Sequence, residues 1–402
     1  MEKIVLSPPD ISEEEIAEVV DTLKSGWITT GPKTKQFEKN IADFCHTNKA
    51  ICFNSATACM ELVLRLLGVK EGDEVITTAY TYTATCSVIL HVGATPVLVD
   101  TAKDSYHIDY DKIADAITEK TKVIIPVDVA GIMCDYDKIF EIVKAKKDMF
   151  RPETRLQRKF GRIVVLADAA HSFGSTRGVK VSGELADFTS FSFHAVKNLT
   201  TAEGGALVWK SHSGIDDDEI YKELSIMSLH GQSKDALAKC QTGSWEYDVI
   251  EPYYKFNMTD IMASIGIAQL RRYSSLIVRR KTIMKKYYSG LNTDKVDLVQ
   301  HYTKDSESNT HLCLVRIKGA DRKQCDRFME EMAKKGVPLN IHYKPLPMLT
   351  AYKKRGYDIK DYPNAYEVYN NTMTIPLHTK LTDEQVDYII TTFNETLEEL
   401  GL

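Results

Sequence analysis

Two residues that could carry covalent chemistry follow apolar runs of the chain. Asp168 follows IVVLA and opens ADAAHS, so we expect it where a buried parallel strand meets the ligand edge of a sheet. Lys197 follows DFTSFSFHAV, a second predicted strand end. A buried lysine shifts its pKa readily, as an amine that forms an imine with a carbonyl compound requires. Taken alone, each residue has a structural alternative, since Asp168 could cap a helix and Lys197 could be solvated.

The neighbours of Lys197 favour the chemical interpretation. Ser192 precedes it in the same turn region, and a glycine-containing loop, Glu203-Gly204-Gly205, follows before the predicted strand ALVWK. Pyridoxal phosphate (PLP) chemistry needs a lysine for the imine, a carboxylate for the pyridine nitrogen, donors for the phosphate and a wall for the ring. The sequence offers a candidate for each of these requirements.

The phosphate donors and the wall have candidates earlier in the chain. CFNSATACMELVLRLL predicts a strand that runs into a helix, so the N–H groups of Ala56 and Thr57 would face the ligand edge and suit a phosphate. Asn54 and Ser55 would also cap this helix without any ligand. Tyr82, just beyond the predicted strand VITT, could stack on a flat cofactor or pack in the core.

The elements that must position these residues alternate between strand and helix patterns from Ala50 onward. This alternation predicts an α/β fold with a mainly parallel sheet covered on both faces. Ser12 and Glu15 form a predicted capping box that opens the first helix, and Gly26 would end it. We expect a large domain over residues 1–281 and a smaller C-terminal α+β domain over residues 282–402.

Composition excludes several classes of protein. The length of 402 residues predicts two closely joined domains. The composition, 43% apolar and 27% charged, is typical of a globular enzyme. A formal net charge of −5 gives no general attraction for nucleic acid or an anionic membrane. The eight cysteines have no zinc-ligand spacing, and no apolar run reaches membrane-spanning length. We therefore expect a cytoplasmic protein without a metal, with neither nucleic acid nor membrane as a partner.

Together these segments resemble the DegT/DnrJ/EryC1/StrS family of sugar aminotransferases, within the fold-type I PLP enzymes. The resemblance covers nearly the whole chain. Beside the strand-to-helix segment at Asn54, it rests on these motifs: GWITTGPKTKQFE, DAAHSFGS, FSFHAVKNLTTAEGGALV, YKFNMTDIMASIGIAQL, IHYKPL and IPLH. Within the family, the sequence looks most similar to enzymes that aminate UDP-4-keto sugars, such as the one that makes 4-amino-4-deoxyarabinose.

The resemblance implies a role for each candidate residue. It implies that Lys197 binds PLP covalently and moves the proton, that Asp168 pairs with the pyridinium nitrogen, and that His171 stands beside the phenolic oxygen. It also implies further contacts, which are ring stacking by Tyr82, phosphate binding by Ser192, Ala56 and Thr57, a contact of Asn257 with the phosphate of the neighbouring subunit's cofactor, and sugar-nucleotide contacts by Thr30, Lys33 and His342. A homodimer with shared active sites follows from the role of Asn257.

The function that the sequence predicts is ping-pong transamination from glutamate to a nucleotide-linked keto-sugar, in amino-sugar or surface polysaccharide biosynthesis. The alternatives are an aminotransferase that acts on a 3-keto sugar or a cyclitol, a PLP-dependent sugar dehydratase and a non-catalytic PLP-binding regulator. The resemblance disfavours the dehydratase, because such relatives replace the lysine by histidine. The sequence departs from the family pattern at Asp128, at Ala202 and in the basic insertion Lys144 to Arg162, and both Asp128 and the insertion could flank the substrate cleft.

Overall fold

The first helix forms as the capping pattern predicts. A computed structural model of the protein describes residues 3–234 and 246–402. Helix α1 (Glu13–Ser25) begins after Ser12, whose backbone N–H donates to the carboxylate of Glu15 at 2.6 Å. Gly26 ends the helix in the left-handed region at a φ of 75°, where a glycine carries no steric penalty. Cys240, one of the eight cysteines, lies outside the described residues.

Strands and helices alternate through the first half of the chain, which confirms the predicted α/β class. The remaining elements up to residue 228 are α2 (Pro32–Phe44), β1 (Ala50–Phe53), α3 (Ala56–Leu66), β2 (Glu74–Thr78), α4 (Thr83–His91), β3 (Thr95–Val99), α5 (Tyr110–Ala116), β4 (Thr121–Ile125), α6 (Tyr136–Ala145), α7 (Arg155–Phe160), β5 (Val164–Asp168), β6 (Thr176–Arg177), β7 (Lys180–Val181), β8 (Phe188–Ser192), β9 (Gly205–Trp209) and α8 (Asp217–Ser228).

The second half of the chain is mainly helical, with short strands between the helices. Its elements are α9 (Asp260–Gly290), β10 (Val296–Leu298), β11 (Ser306–Glu307), β12 (Cys313–Ile317), α10 (Arg322–Lys334), α11 (Thr350–Lys353), α12 (Pro363–Asn371), β13 (Thr372–Ile375) and α13 (Asp383–Leu400).

A seven-stranded sheet in the order β1-β9-β8-β5-β4-β2-β3 forms the centre of the large part. Strand β9 is antiparallel to both of its neighbours, and the other strands run parallel to one another. The carboxyl ends of the parallel strands therefore meet at one edge. The start of β9, at Gly205, lies at that same edge, opposite Phe53 and Ser192.

Helices cover both faces of this sheet, because its strands are apolar on both sides. In β5, Val164 and Leu166 pack into one buried cluster, whereas Val165 and Ala167 pack into the cluster on the opposite face. Helix α3 belongs to the first cluster, and α2 and the first half of α9 belong to the second. A parallel sheet covered on both faces has the continuous apolar strands that the sequence shows.

Helix α9 joins the two halves of the molecule. Its early residues, such as Ile267, pack against the large sheet, whereas Ile283 and Tyr287 pack in the core of the C-terminal part. The helix therefore passes from the core of the large part to the core of the C-terminal part close to residue 282, and it continues unbroken through that position. Ile4 also packs in the C-terminal core, and residues 346–369 contribute to a cluster with Tyr80 of the large part. The two predicted domains are thus joined through several segments.

The basic insertion from Lys144 to Arg162 lies at the edge of the sheet opposite the candidate chemistry. Lys122, at the amino end of β4, donates from Nζ to the backbone carbonyl of Arg151 at 2.5 Å. Thr154 donates from its hydroxyl to the carbonyl of Leu67, just beyond the carboxyl end of α3, at 3.1 Å. The expectation that the insertion could flank the substrate cleft is therefore wrong, because its contacts hold it at the amino ends of the parallel strands.

Other observations concern the cysteines and the helices. All seven cysteines in the described part of the chain are buried and unpaired. Within residues 3–234 and 246–402, no helix combines the length and apolar character needed to cross a membrane.

We predict that the ion pair between Arg162 and Asp187 stabilises the junction of β5 and β8. Arg162 donates to both carboxylate oxygens of the buried Asp187, at 2.7 and 2.8 Å, and the N–H of Val165 donates to the same group. Asp187→Ala should lower the free energy of unfolding by about 3 kcal/mol, because the partly buried guanidinium loses its counter-ion and keeps the Ile163 carbonyl as acceptor, while the N–H of Val165 loses its acceptor.

Urea unfolding of the two variants measures this effect, with Arg151→Ala as the control. Arg151 belongs to the same insertion and pairs with Glu119, but both side chains of that pair are exposed. The control should change stability little, since an exposed ion pair contributes little. Equal losses in the two variants would contradict the importance assigned to the Arg162–Asp187 pair.

Candidate active site

A cavity of about 530 Å³ lies at the edge where the parallel strands end. Residues from the ends of β1, β2, β5 and β8 line one side, and residues from the C-terminal part line the other. The volume falls in the range of cavities that hold a small cofactor or substrate. Of the predicted site residues, the following line it: Ala56, Thr57, Tyr82, Asp168, His171, Ser192, Lys197 and His342.

Asp168 is the last residue of β5, and its carboxylate is buried at the floor of this cavity. The hydroxyl of Thr85 donates to Oδ2 at 2.6 Å, and the backbone N–H of Ala170 donates to Oδ1 at 3.2 Å. Burial raises the pKa of Asp168, while these two hydrogen bonds and the charge of Lys197 favour its ionised form. The site can therefore stabilise a cation placed beside Asp168.

Lys197 lies in the turn after β8, and its N–H donates to the carbonyl of His194 at 2.9 Å. Burial lowers the pKa of the Lys197 ammonium to about 8, and the negative charge of Asp168 opposes this shift. An amine with such a pKa is partly deprotonated near neutral pH, so it can act as a nucleophile and as a base. Asp168 and Lys197 thus provide a carboxylate and a reactive amine in one cavity.

His171 follows β5 and is held in one protonation state. The backbone N–H of Ala130 donates to its Nδ1 at 3.2 Å, and Nε2 lies 3.0 Å from the hydroxyl oxygen of Tyr343. Burial, followed by the positive charge of Lys197, lowers the pKa of His171 well below its ordinary value. The ring of His311 lies against it, with 4.4 Å between ring centroids. His171 is therefore a neutral imidazole that carries its hydrogen on Nε2.

The start of α3 forms a cradle of backbone N–H groups. Ser55 caps the helix by accepting the N–H of Ala58 at 3.1 Å, which leaves the N–H groups of Ala56 and Thr57 at the cavity. A Cβ on Gly205 would lie 2.5 Å from the backbone nitrogen of Ala56, so only glycine allows this close approach. Ser192 lies opposite Gly205 in the sheet and also lines the cavity. This arrangement suits a phosphate group.

Tyr82 is placed so that a flat ligand could pack against its ring. It precedes α4, and 59% of the residue is exposed although it lines the cavity. Its ring centroid is 6.0 Å from that of Tyr343. Exposure of this size leaves the ring free for a ligand, whereas a core tyrosine would be covered.

Three predicted site residues do not line the cavity of their own chain. Asn257 donates from its side-chain amide to the hydroxyl of Thr30 at 2.6 Å, and that hydroxyl donates to the carbonyl of Met258 at 2.5 Å. The ammonium of Lys33 pairs with Glu18 and, at 2.8 Å, with Asp21. The sugar-nucleotide contacts of Thr30 and Lys33 therefore stay predictions, and two carboxylates already balance the charge of Lys33.

Several cavity residues were not identified from the sequence. Tyr343, His311 and Asn340 come from the C-terminal part, and Thr85 reaches Asp168 from α4. The motif IHYKPL, which contains Tyr343 next to the predicted His342, was the available signal. His311 lies in an ordinary strand pattern, so nothing local marks it.

Two of the departures from the family pattern have structural explanations. Asp128 lines the cavity, but its buried carboxylate already accepts hydrogen bonds from Ser172 at 2.7 Å and Tyr136 at 2.9 Å, and burial raises its pKa to about 6. Asp128 therefore supports the turn behind His171. Ala202 adopts a φ of 68°, in the left-handed region that favours glycine, so a glycine would be the less strained residue at this departure.

The residues of the cavity fit PLP. The cofactor needs an amine for its aldehyde, an anion for its ring nitrogen, N–H and O–H donors for its phosphate and an apolar wall. Lys197, Asp168, the cradle at Ala56 and Tyr82 meet these needs in one cavity, and Gly205 lets the start of β9 approach the backbone of that cradle closely.

Comparison with known proteins assigns the chain to a family. Residues 9–394 match the model of the DegT/DnrJ/EryC1/StrS aminotransferase family. The chain belongs to this family. It is a PLP-dependent sugar aminotransferase with the α/β fold of its relatives, as the sequence motifs predicted.

Relatives and solved structures support this assignment over the whole length of the aminotransferase. The spore coat polysaccharide biosynthesis protein SpsC of Bacillus subtilis is 35% identical over 96% of this chain and 94% of its own. Spr1654 of Streptococcus pneumoniae, assigned as a sugar aminotransferase, has been solved in a PMP form that is 57% identical, with a TM-score of 0.96 over 99% of this chain and 100% of its own. A PLP form of Spr1654 is also known. PseC of Helicobacter pylori, an aminotransferase in pseudoaminic acid biosynthesis, is 26% identical, with a TM-score of 0.85 over 99% of this chain and 100% of its own.

We predict that the buried histidines make the aminotransferase less stable in acid. Burial, followed by the charge of Lys197, lowers the pKa of His342 to about 4, and the pKa of His171 is lowered as well. The unfolded chain therefore binds more protons than the folded chain below about pH 6.5, so the stability must fall as the pH decreases toward 4.

Urea unfolding between pH 7.5 and 4.5 measures this dependence. His342→Gln removes one of the titrating groups while keeping a polar side chain, so its stability should fall less steeply than that of the wild type. The same slope in both proteins would show that His342 does not titrate in this way.

Proposed function

We propose that this aminotransferase moves the amino group of glutamate onto a nucleotide-linked keto-sugar, with a UDP-4-keto sugar as the acceptor. The observation that carries the proposal is the Lys197 amine, with its lowered pKa, in the same cavity as the buried carboxylate of Asp168. A lysine at this position separates the chain from the dehydratases of similar sequence, in which histidine replaces it.

Lys197 and Asp168 have different roles in the proposed reaction. PLP, when bound, supplies an electron sink that stabilises negative charge at the carbon next to the transferred nitrogen. Lys197 would hold the cofactor covalently, and its amine would move a proton at the reacting carbon of each substrate. Asp168, whose carboxylate is held by Thr85 and Ala170, would keep the pyridine nitrogen protonated.

The other cavity residues orient the cofactor and the substrates. His171 would stand beside the phenolic oxygen, Tyr82 would stack on the ring, and Ser192 with the N–H groups of Ala56 and Thr57 would bind the phosphate. On the C-terminal side of the cavity, His342 would contact the sugar nucleotide.

The roles of two relatives support a sugar substrate in polysaccharide or amino-sugar biosynthesis. SpsC takes part in spore coat polysaccharide biosynthesis, and PseC in pseudoaminic acid biosynthesis. Since the chain as a whole carries a formal net charge of −5, an anionic nucleotide must be recognised by local groups.

The unpaired, buried cysteines of the described residues also favour a reducing compartment, and we infer that the enzyme acts in the cytoplasm.

A homodimer with shared sites would explain two features outside the cavity. Along α1, the apolar side chains of Ile16, Val20 and Leu23 are exposed at helical spacing. A second copy of the chain would cover such a stripe. Asn257 lies beside the end of β1, in a bridge with Phe53, and we propose that it reaches the cofactor phosphate of the partner.

We predict that Lys197→Ala abolishes turnover, because the variant loses both the covalent link and the proton-transfer group. The rate of sugar amination should fall by at least about a thousandfold, the scale of a lost general base and nucleophile. Activity is measured as formation of amino-sugar with the cofactor in excess. His46→Gln, on the exposed surface, is the control and should keep wild-type activity. Wild-type turnover in Lys197→Ala would overturn the central assignment.

Absorption spectroscopy of the PLP-loaded enzyme tests the substrates. Glutamate should bleach the band of the bound cofactor, and after excess glutamate is removed, a UDP-4-keto sugar should restore it. Return of the band with a UDP-4-keto sugar alone would support both proposed substrates. Bleaching without return for any 3- or 4-keto nucleotide sugar would keep the aminotransferase but exclude the proposed acceptor, leaving cyclitol ketones to be tested.

A further inference from the structure

The hydroxyl group of Tyr343 has a fixed direction that the reaction described above does not use. The hydrogen bonds that fix this direction begin at Ala130, a non-glycine residue with a φ of 60°. This left-handed backbone presents the N–H of Ala130 to Nδ1 of His171, at 3.2 Å. An N–H can only donate, so Nδ1 must be the acceptor, and the neutral ring must carry its hydrogen on Nε2.

The hydrogen on Nε2 of His171 decides what the tyrosine can do. Nε2 lies 3.0 Å from the hydroxyl oxygen of Tyr343, so the histidine donates and the tyrosine oxygen accepts. The hydroxyl hydrogen of Tyr343 must then point to another acceptor. Among residues 3–234 and 246–402 no side chain accepts it, and the residue lines the cavity.

The backbone of Tyr343 is held as firmly as its side chain. Its N–H donates to the hydroxyl oxygen of Tyr80 at 2.9 Å, and that hydroxyl donates to the carbonyl of His342 at 2.8 Å. The ring of Tyr343 lies between Tyr82 and His171, with centroids 6.0 Å away on each side. The hydrogen-bond donor is therefore pre-positioned in the cavity.

We propose that Tyr343 is a specificity-determining residue whose hydroxyl donates a hydrogen bond to an uncharged oxygen, hydroxyl or carbonyl, of the keto-sugar acceptor. This inference rests on the proposed function and assigns part of the sugar recognition to a named side chain.

The surroundings of Tyr343 favour an uncharged oxygen over the carboxylate of an amino acid. Burial lowers the pKa values of His171, His311 and His342, so the nearby rings are neutral. Among the described residues that line the cavity, Lys197 is the one lysine or arginine. A carboxylate at Tyr343 would be desolvated without a second cation, whereas a sugar oxygen needs a neutral donor.

Tyr343→Phe tests the proposal, because it removes the hydroxyl and keeps the ring. Both half-reactions of the PLP-loaded enzyme are followed by stopped-flow absorption, first with glutamate and then with the keto-sugar. We expect kcat/KM of the sugar half-reaction to fall by about 10- to 100-fold, the effect of an unpaired buried polar group. The variant also removes the acceptor of the His171 Nε2–H, which lowers both half-reactions alike, so the loss in the glutamate half-reaction should be at least about tenfold smaller than the loss in the sugar half-reaction.

Tyr106→Phe is the matched control. The hydroxyl of Tyr106 lies 3.2 Å from that of Thr372, and its ring packs near Tyr80, but it does not line the cavity. This variant should leave both half-reactions unchanged. Equal losses in the two half-reactions of Tyr343→Phe, or a loss confined to glutamate, would overturn the proposal.

Failure of the proposed function would be seen separately, in the wild type. If no nucleotide-linked keto-sugar restores the cofactor band of the wild-type enzyme, that function is wrong. The comparison of Tyr343→Phe with the wild type is then made with the keto-cyclitol that does restore the band. A loss confined to that half-reaction would support donation to an uncharged oxygen, and no selective loss would refute it.

Discussion

The attraction between the carboxylate of Asp168 and the amine of Lys197 is the interaction on which the site depends. Burial disfavours the charged form of each group, raising the pKa of Asp168 and lowering that of Lys197, while each charge favours the other. The fold brings them together because β5 and β8 are parallel neighbours with carboxyl ends at one edge. The Thr85 hydroxyl and the Ala170 N–H further stabilise the carboxylate. The balance between the neutral amine and the ammonium form of Lys197 therefore depends on the ends of the two strands, which bring it close to Asp168.

Helix α9 and its contacts supply the other side of the cavity. Arg280, buried on this helix, donates to the backbone carbonyls of Thr310 and His311 at 3.0 and 2.7 Å. These bonds hold the loop that places the His311 ring against His171. The same helix packs in both cores. The position of the C-terminal residues relative to Lys197 is therefore set by packing along a continuous helix.

The sequence predicted the features that depend on local patterns. The capping box at Ser12, the strand that ends at Asp168 and the strand before Lys197 were visible because periodicity and caps act over a few residues. The antiparallel direction of β9, the closeness of His311 to His171 and the left-handed conformation of Ala130 depend on tertiary contacts, which no short window of sequence contains. The ion pairs of Lys33 with Glu18 and Asp21 on the preceding helix also depend on tertiary contacts, and its predicted contact with the sugar nucleotide stays a prediction.

The basic insertion lies where sequence changes affect the outer surface and not the cavity. Its residues contact the ends of strands and helices on the side of the sheet away from the cavity, through bonds such as that between Lys122 and the Arg151 carbonyl. Changes of charge at exposed positions of the insertion, such as Lys147 and Arg151, can therefore alter the outer surface without moving Asp168 or Lys197, whereas Arg162 must keep its pair with Asp187. These exposed side chains are positions where a fluorophore could be attached while the chemistry stays intact.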